Sequence, residues 1–213
     1  MILILLGAPG TGKGTQGNLL ATHYNIPKIS TGEILREAIE KKTELGNKAK
    51  KYMDLGNLVP DDVIIGIVKE RVKEKDCLNG CIFDGFPRTV KQAEALDEYF
   101  EIVGLKLDYV LEFKLSRNKI IERLTGRLVC RNCGKDYNII SKAPATDKKC
   151  DDCGGEVVQR SDDTEATVKN RLLVYEEKTK PLEKYYRSKG KLATFDAEGT
   201  IQEIQDKIIQ FLS

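Results

Sequence analysis

Five short runs with strand character, at residues 2–6, 28–30, 81–83, 109–115 and 192–195, are separated by longer stretches of helical period. In one stretch Val63, Ile64, Ile67, Val68 and Val72 fall on a single helical face, and Ile201, Ile204, Ile208 and Leu212 do so near the end. Both stripes read as core rather than as site. Strands that alternate with helices predict a parallel sheet covered by helices, an α/β fold. The apolar opening, Met1 to Leu6, has no basic residues ahead of it and runs straight into a glycine-rich turn, so it reads as a buried strand and not as a leader.

Two segments break this rhythm. Residues 30–59 read as a helical insert rich in Lys and Glu that ends where Pro60 and Asp61 set up the next helix. Residues 126–163 are rich in Gly, Asp and Cys with little helical period, until Asp162 and Glu165 take the spacing of a capping box and predict a restarted helix. The expected division is a core of residues 1–29, 60–125 and 164–213 carrying two flaps.

The chain has 213 residues, enough for one domain with insertions. Its 35 basic residues nearly balance 33 acidic ones, so no net field draws it to nucleic acid or to an anionic membrane. No apolar stretch approaches the roughly twenty residues that span a bilayer. The six cysteines are clustered and too few for a secreted disulfide scaffold, which predicts a reducing, cytoplasmic setting. Cys77 and Cys81 read as small residues beside a strand, and His23 as a helix-surface residue.

Chemistry concentrates in two motifs. Gly7-Ala8-Pro9-Gly10-Thr11-Gly12-Lys13-Gly14-Thr15 follows an apolar strand and opens a helix, the setting in which backbone N–H groups and a lysine cradle phosphates. The residue after the lysine is Gly14, so the usual hydroxyl ligand to magnesium is missing there. Cys130-x2-Cys133-x16-Cys150-x2-Cys153 has the spacing of a four-thiolate zinc site, with a pair of disulfides as the rival reading. Four protein ligands leave no open position, so such a metal is structural. Asp84, at the end of an apolar strand, is placed to hold magnesium through water or else to cap the helix ahead of Thr89.

The loop resembles that of the nucleoside monophosphate kinases, adenylate kinases most of all, and the likeness continues in order along the chain. It runs through Ser30-Thr31-Gly32-Glu33-Ile34-Leu35-Arg36, Asn57-Leu58-Val59-Pro60-Asp61, Phe83-Asp84-Gly85-Phe86-Pro87-Arg88-Thr89, Arg123-Leu124-Thr125-Gly126-Arg127 and Asp162-Asp163. The resemblance implies a P-loop fold with an AMP-binding insert at 30–59, a zinc-binding lid at 126–163, and the reaction ATP + AMP ⇌ 2 ADP with Mg2+. It implies ATP contacts at Gly10, Thr11, Gly12, Lys13, Gly14, Thr15, Arg123, Arg127, Asp136, Tyr137 and Gly199. It implies AMP contacts at Thr31, Arg36, Asn57, Leu58, Val59, Gly85, Phe86, Pro87, Arg88, Gln92, Arg160 and Arg171, with the Gln92 amide on the adenine edge and a cis Pro87. Lys13, Arg88, Arg123, Arg160 and Arg171 are the implied catalytic set. Taken singly, each arginine reads as a solvated surface residue, and Thr31 as a helix cap.

Leu128, Asn138 and Glu33 depart from the family pattern, which leaves lid and AMP-flap contacts open. Two other readings stand at this point: a kinase for CMP, UMP or GMP, and a nucleic-acid-binding zinc ribbon with a regulatory loop. Against the ribbon, Tyr137 has no aromatic neighbours to stack bases. No nucleic-acid or membrane partner is expected, and a monomer is.

Overall fold

The structure, a computed structural model, describes residues 1–139, 142–160 and 162–213. In chain order the strands are β1 (Ile2–Leu6), β2 (Lys28–Ser30), β3 (Cys81–Asp84), β4 (Tyr109–Lys114), β5 (Arg127–Cys130), β6 (Asp136–Asn138), β7 (Val157–Gln159) and β8 (Leu192–Asp196). Five form one parallel sheet in the order β2-β3-β1-β4-β8. Central β1 is buried along its whole length because both faces are covered, which is why it reads as a continuous apolar run. Its alternating side chains split between two cores. Ile2, Ile4 and Leu6 join Phe83 and Val110 on one side, while Leu3 and Leu5 join Ile82, Leu111 and Phe113 on the other.

Helices α1 (Lys13–Tyr24) and α9 (Ile201–Leu212) close the second core with Leu20, Ile204 and Ile208. The first is closed by α4 (Asp61–Val72), α5 (Val90–Val103) and α8 (Pro181–Ser188). Between β1 and β3 the connections leave in opposite directions, which opens a crevice at the carboxyl ends of these two strands. The glycine loop and Asp84 both lie there.

The 30–59 segment is a pair of helices, α2 (Thr31–Glu40) and α3 (Glu44–Met53). Ser30, not Thr31, caps the first, its Oγ accepting from Glu33 N, and Thr43 caps the second. Gly46 lets the two meet: a Cβ there would lie 2.0 Å from the Ala38 carbonyl oxygen. In the other insert β5, β6 and β7 form an antiparallel sheet in the order β6-β5-β7, over a core that among the described residues is only Cys130, Tyr137, Cys150 and Val157 with Leu128 against it. Two further helices, α6 (Arg117–Thr125) and α7 (Glu165–Val174), flank that insert.

The expected cap of α7 is corrected. Thr164 is the capping residue, its Oγ1 accepting from Thr167 N at 3.2 Å, because the Asp162 carboxylate is already held by Arg160 and Arg171. Among the described residues no helix is long and apolar enough to cross a membrane. His23 is exposed on α1, Cys77 is buried just ahead of β3, and Cys81 is the buried first residue of β3 itself rather than a neighbour of it.

The α2–α3 contact yields a direct expectation. Gly46→Ala forces backbone apart and should lower stability by about 1–3 kcal/mol, the usual cost of overpacking, read from denaturant unfolding. Ala at exposed Gly66, where an added Cβ meets nothing within 4 Å, is the control and should not destabilise.

Candidate active site

The loop between β1 and α1 is shaped by glycines in the left-handed region, Gly10 at φ 84° and Gly12 at φ 92°. Gly12 occupies the capping position of α1 and brings no side chain, so the first-turn N–H groups stay open to an anion. Lys13 folds back over the loop, its Nζ donating to the Gly7 and Ala8 carbonyls at 2.7 and 2.8 Å. Thr11 Oγ1 ties the loop to itself through the Ala8 carbonyl. A Cβ at Gly12 would sit 3.8 Å from Arg123, and one at Gly14 would sit 3.5 Å from Asp84 Oδ2. Arg123 also donates to the Ala197 carbonyl at 3.1 Å, which brings it beside the turn that holds Gly199.

Asp84 does not cap a helix. Thr89 caps α5 itself, its Oγ1 accepting from Gln92 N. Among the described residues the Asp84 carboxylate has no hydrogen bond or ion pair, and it faces the start of α1. That freedom fits a carboxylate reserved for hydrated magnesium.

A cavity opens next to the loop. Nine residues of the implied AMP set line it: Thr31, Arg36, Asn57, Leu58, Val59, Gly85, Arg88, Gln92 and Arg171. Phe86, Pro87 and Arg160 do not; Phe86 is buried in the core, and the Phe86–Pro87 peptide is cis. Leu35, Met53, Ile64 and Asp162 line it as well. Ile64 is therefore both core and wall, which corrects the reading of its stripe as core alone: a side chain packed into a core still presents its outer edge. Thr31 Oγ1 donates to the Gly85 carbonyl at 2.8 Å, fixing α2 to the end of β3.

Seven cations gather around loop and cavity: Lys13, Arg36, Arg88, Arg123, Arg127, Arg160 and Arg171. Among the described residues, Asp162 and Asp163 are the carboxylates that touch them. Arg127 makes a two-pronged bond to Asp163 at 2.7 and 2.6 Å, Arg160 another to Asp162 at 3.0 and 2.8 Å, and Arg171 reaches both. The cations share one field. Burial lowers the Lys13 pKa to about 8, with Arg88, Arg171 and Arg127 adding to the effect and Asp84 opposing it. Burial likewise lowers Arg36 and Arg171 to about 10, each also feeling Arg127 and Arg160. Although burial pushes Asp162 upward, Arg160, Arg171 and Arg36 together hold its carboxyl well below the usual range.

In the lid the Sγ atoms of Cys130, Cys133, Cys150 and Cys153 lie within 4.8 Å of one another, and two of the pairs are 3.5 Å apart. A tetrahedron with metal–sulfur bonds of about 2.3 Å has edges of about 3.8 Å, so the donors fit a four-thiolate metal. All six cysteines are free. Tyr137, expected at ATP, turns its ring into this cluster: its hydroxyl donates to Cys150 Sγ at 3.3 Å and accepts from Asp151 N at 2.8 Å. That bond lowers the Cys150 thiol to about 6, favouring the thiolate that binds metal. Asp136 lies on the same strand, half-buried, and acts on Arg160 through space.

The three departures each have a partner. Glu33 pairs with Lys28 at 2.7 Å, Leu128 packs on the lid core, and Asn138 donates to the Arg123 carbonyl at 3.0 Å. Asp162 and Asp163 carry more of the site than the motif alone indicated; the neighbouring arginines were the signal. Asp163→Ala should cost about 3–5 kcal/mol in denaturant unfolding at neutral pH, because it strands buried cations. Since the folded pKa of Asp162 is depressed, its contribution is complete above the unfolded value of about 3.9 and should fade as pH falls below it. An acid limb of the unfolding curve unchanged by Asp162→Asn would contradict that.

A model of the adenylate kinase family matches residues 5–191. An adenylate kinase of Archaeoglobus fulgidus is 53% identical over 209 residues, covering 96% of this chain and 96% of its own length. One from Caldicellulosiruptor bescii is 50% identical over 212 residues, 100% of this chain and 99% of its own, and one from Geotalea daltonii is 49% identical over the same span. With the loop, the cavity and the arginines in the family's order, the chain belongs to the adenylate kinase family.

Proposed function

We propose that this protein transfers the γ-phosphoryl group of ATP to AMP, giving two ADP, with ATP on the glycine loop and AMP in the cavity. The observation that carries this reading is the cation cluster at the junction of the two. A pocket with an apolar wall and a loop of open N–H groups each suit a nucleotide, and seven cations with two contacting carboxylates leave an excess that adjoining phosphates fill. The names of the relatives favour AMP over other monophosphates as acceptor.

In this reading Lys13 and the loop amides take the β- and γ-phosphates, Arg123 and Arg127 the ATP side, Arg36 and Arg88 the AMP phosphate, and Arg160 and Arg171 the groups being joined. Lys13 exchanges its carbonyl partners for phosphate oxygens, which restores the charge that burial disfavours. An AMP phosphate oxygen forms the new bond to the γ-phosphorus while the bond to the β-bridging oxygen breaks, and the charge left there stays on ADP. No general base is needed, because the attacking oxygen is already anionic. Adenylate kinases use magnesium with ATP; it neutralises phosphate charge when bound, and Asp84 is the carboxylate placed to hold it through water. The lid brings Arg127 and Arg160 to the phosphates and excludes water that would hydrolyse ATP.

Zinc is the metal proposed for the four cysteines. The lid core is too small to order three short strands, so the metal stands in for it. Its four protein ligands keep it out of the chemistry.

Incubation with Mg-ATP and each of AMP, GMP, CMP and UMP tests the substrate: ADP formation from AMP should lead by at least about 1–3 kcal/mol in kcat/KM. Equal rates with CMP would end the adenylate assignment. Lys13→Ala and Arg88→Ala should each lower turnover on the order of a hundredfold with the fold intact by circular dichroism. For the metal, elemental analysis should find one zinc per chain. Cys150→Ala should lower the Tm while most turnover survives at moderate temperature, and loss of turnover with the lid still folded would mean the metal takes part in catalysis.

A further inference from the structure

Gln92 lines the cavity and is only 2% exposed, and its amide is held at both ends. Oε1 accepts from Arg88 N at 2.7 Å, and Nε2 donates to Asp61 Oδ1 at 2.7 Å. The second Asp61 oxygen accepts from Thr89 Oγ1 at 3.2 Å, and that hydroxyl accepts in turn from Gln92 N at 3.1 Å. A backbone N–H can only donate and an ionised carboxylate can only accept. The two ends of the amide are therefore not interchangeable. A flip would set Oε1 against the carboxylate and the NH2 group against the Arg88 N–H, losing two buried hydrogen bonds at once. One N–H and one lone pair of the amide remain for a ligand in the cavity.

We propose that Asp61 is a specificity-determining positioning residue, which with the Arg88 N–H locks the Gln92 amide in the orientation that accepts a 6-aminopurine and refuses a 6-oxopurine. This rests on the reading above that the cavity holds the base of the acceptor nucleotide. The two purine classes present inverted edges. Adenine offers a 6-amino donor beside the N1 acceptor, whereas a 6-oxopurine offers an O6 acceptor beside an N1–H donor. A free amide can pair with either edge by turning over, so an amide by itself discriminates little. A locked amide matches one edge and opposes donor to donor and acceptor to acceptor on the other.

Asp61 itself is not among the residues lining the cavity. It opens α4 directly after Pro60, where an acid also steadies the helix through its dipole. That structural role is blind to which purine is bound, so the ratio of rates with two purines separates the two roles.

The experiment compares kcat/KM for AMP and for inosine monophosphate, a 6-oxopurine with no further amino group, in the wild-type chain, Asp61→Asn, Asp61→Ala and Gln92→Leu. Asn keeps the shape but can present an N–H to a flipped Oε1; Ala removes the acceptor outright and stands in should the Asn variant fold poorly. The preference for AMP should fall about tenfold or more in the Asp61 variants. The change should sit in the KM of the two monophosphates, with the KM for ATP unmoved. If Gln92→Leu collapses the preference while neither Asp61 variant moves it, the lock is wrong and the placement of the base stands. If Gln92→Leu leaves the preference intact, this amide does not read the base, and both the lock and that placement fall.

Discussion

Like charges held a few ångströms apart repel by about 4 kcal/mol per pair at a protein's effective dielectric, and this chain holds seven cations around one crevice. Asp162 and Asp163 make that arrangement possible. They stand side by side, buried, and take up arginines from three elements: Arg127 of β5, Arg160 beyond β7 and Arg171 of α7. Two contacting carboxylates do not match seven cations, and the pKa values of Lys13, Arg36 and Arg171, lowered first by burial, are lowered further by the neighbouring arginines. A site fully neutralised by the protein would have no use for phosphate. One with no carboxylates would leave its buried arginines uncompensated. The partial match leaves a field that ligands complete.

The surrounding fold serves to bring this charge to one place. The glycine loop and Asp84 arrive there because β1 and β3 are neighbours whose connections diverge. Helix α7 links the arginine hub to the α2–α3 insert: Asn170 donates to the Leu55 carbonyl at 2.6 Å and to Asn57 at 3.0 Å. Gly56, with a positive φ of 73°, lets that junction close, since a Cβ there would meet the Arg171 side chain at 2.9 Å. The cavity wall supplied by Asn57, Leu58 and Val59 is thus tied to the same helix that presents Arg171.

Much of this was legible in the residues. The five-strand alternation, the glycine loop and the four-cysteine spacing are local patterns, and local patterns survive folding. What escaped depended on competition between partners. Asp162 has the sequence position of a helix cap, but two arginines outbid a backbone N–H, and Thr164 took the cap instead. Tyr137 was expected at ATP, and its ring, one of the few large side chains in so small an insert, is also part of the core there. Ile64 belonged to a helical stripe, and periodicity shows which face is buried without showing where the core ends and a cavity begins. Asp61 read as a helix-starting residue, and only its distance to Gln92, thirty-one positions on, gives it a second task.

The zinc proposed for the four cysteines would suit this insert better than a larger core. In the proposed function Arg127 and Arg160 project over the phosphates from a short, thin element, and an apolar core thick enough to order such an element would have to grow on one of its faces. Growth toward the crevice would fill the space proposed for phosphates. Growth outward would enlarge a part whose purpose is to cover. Four thiolates around the proposed zinc would order the same strands within a few ångströms, and the Tyr137 hydroxyl on Cys150 favours one thiolate. In the proposed zinc-bound form the metal would take up the negative charge of the thiolates.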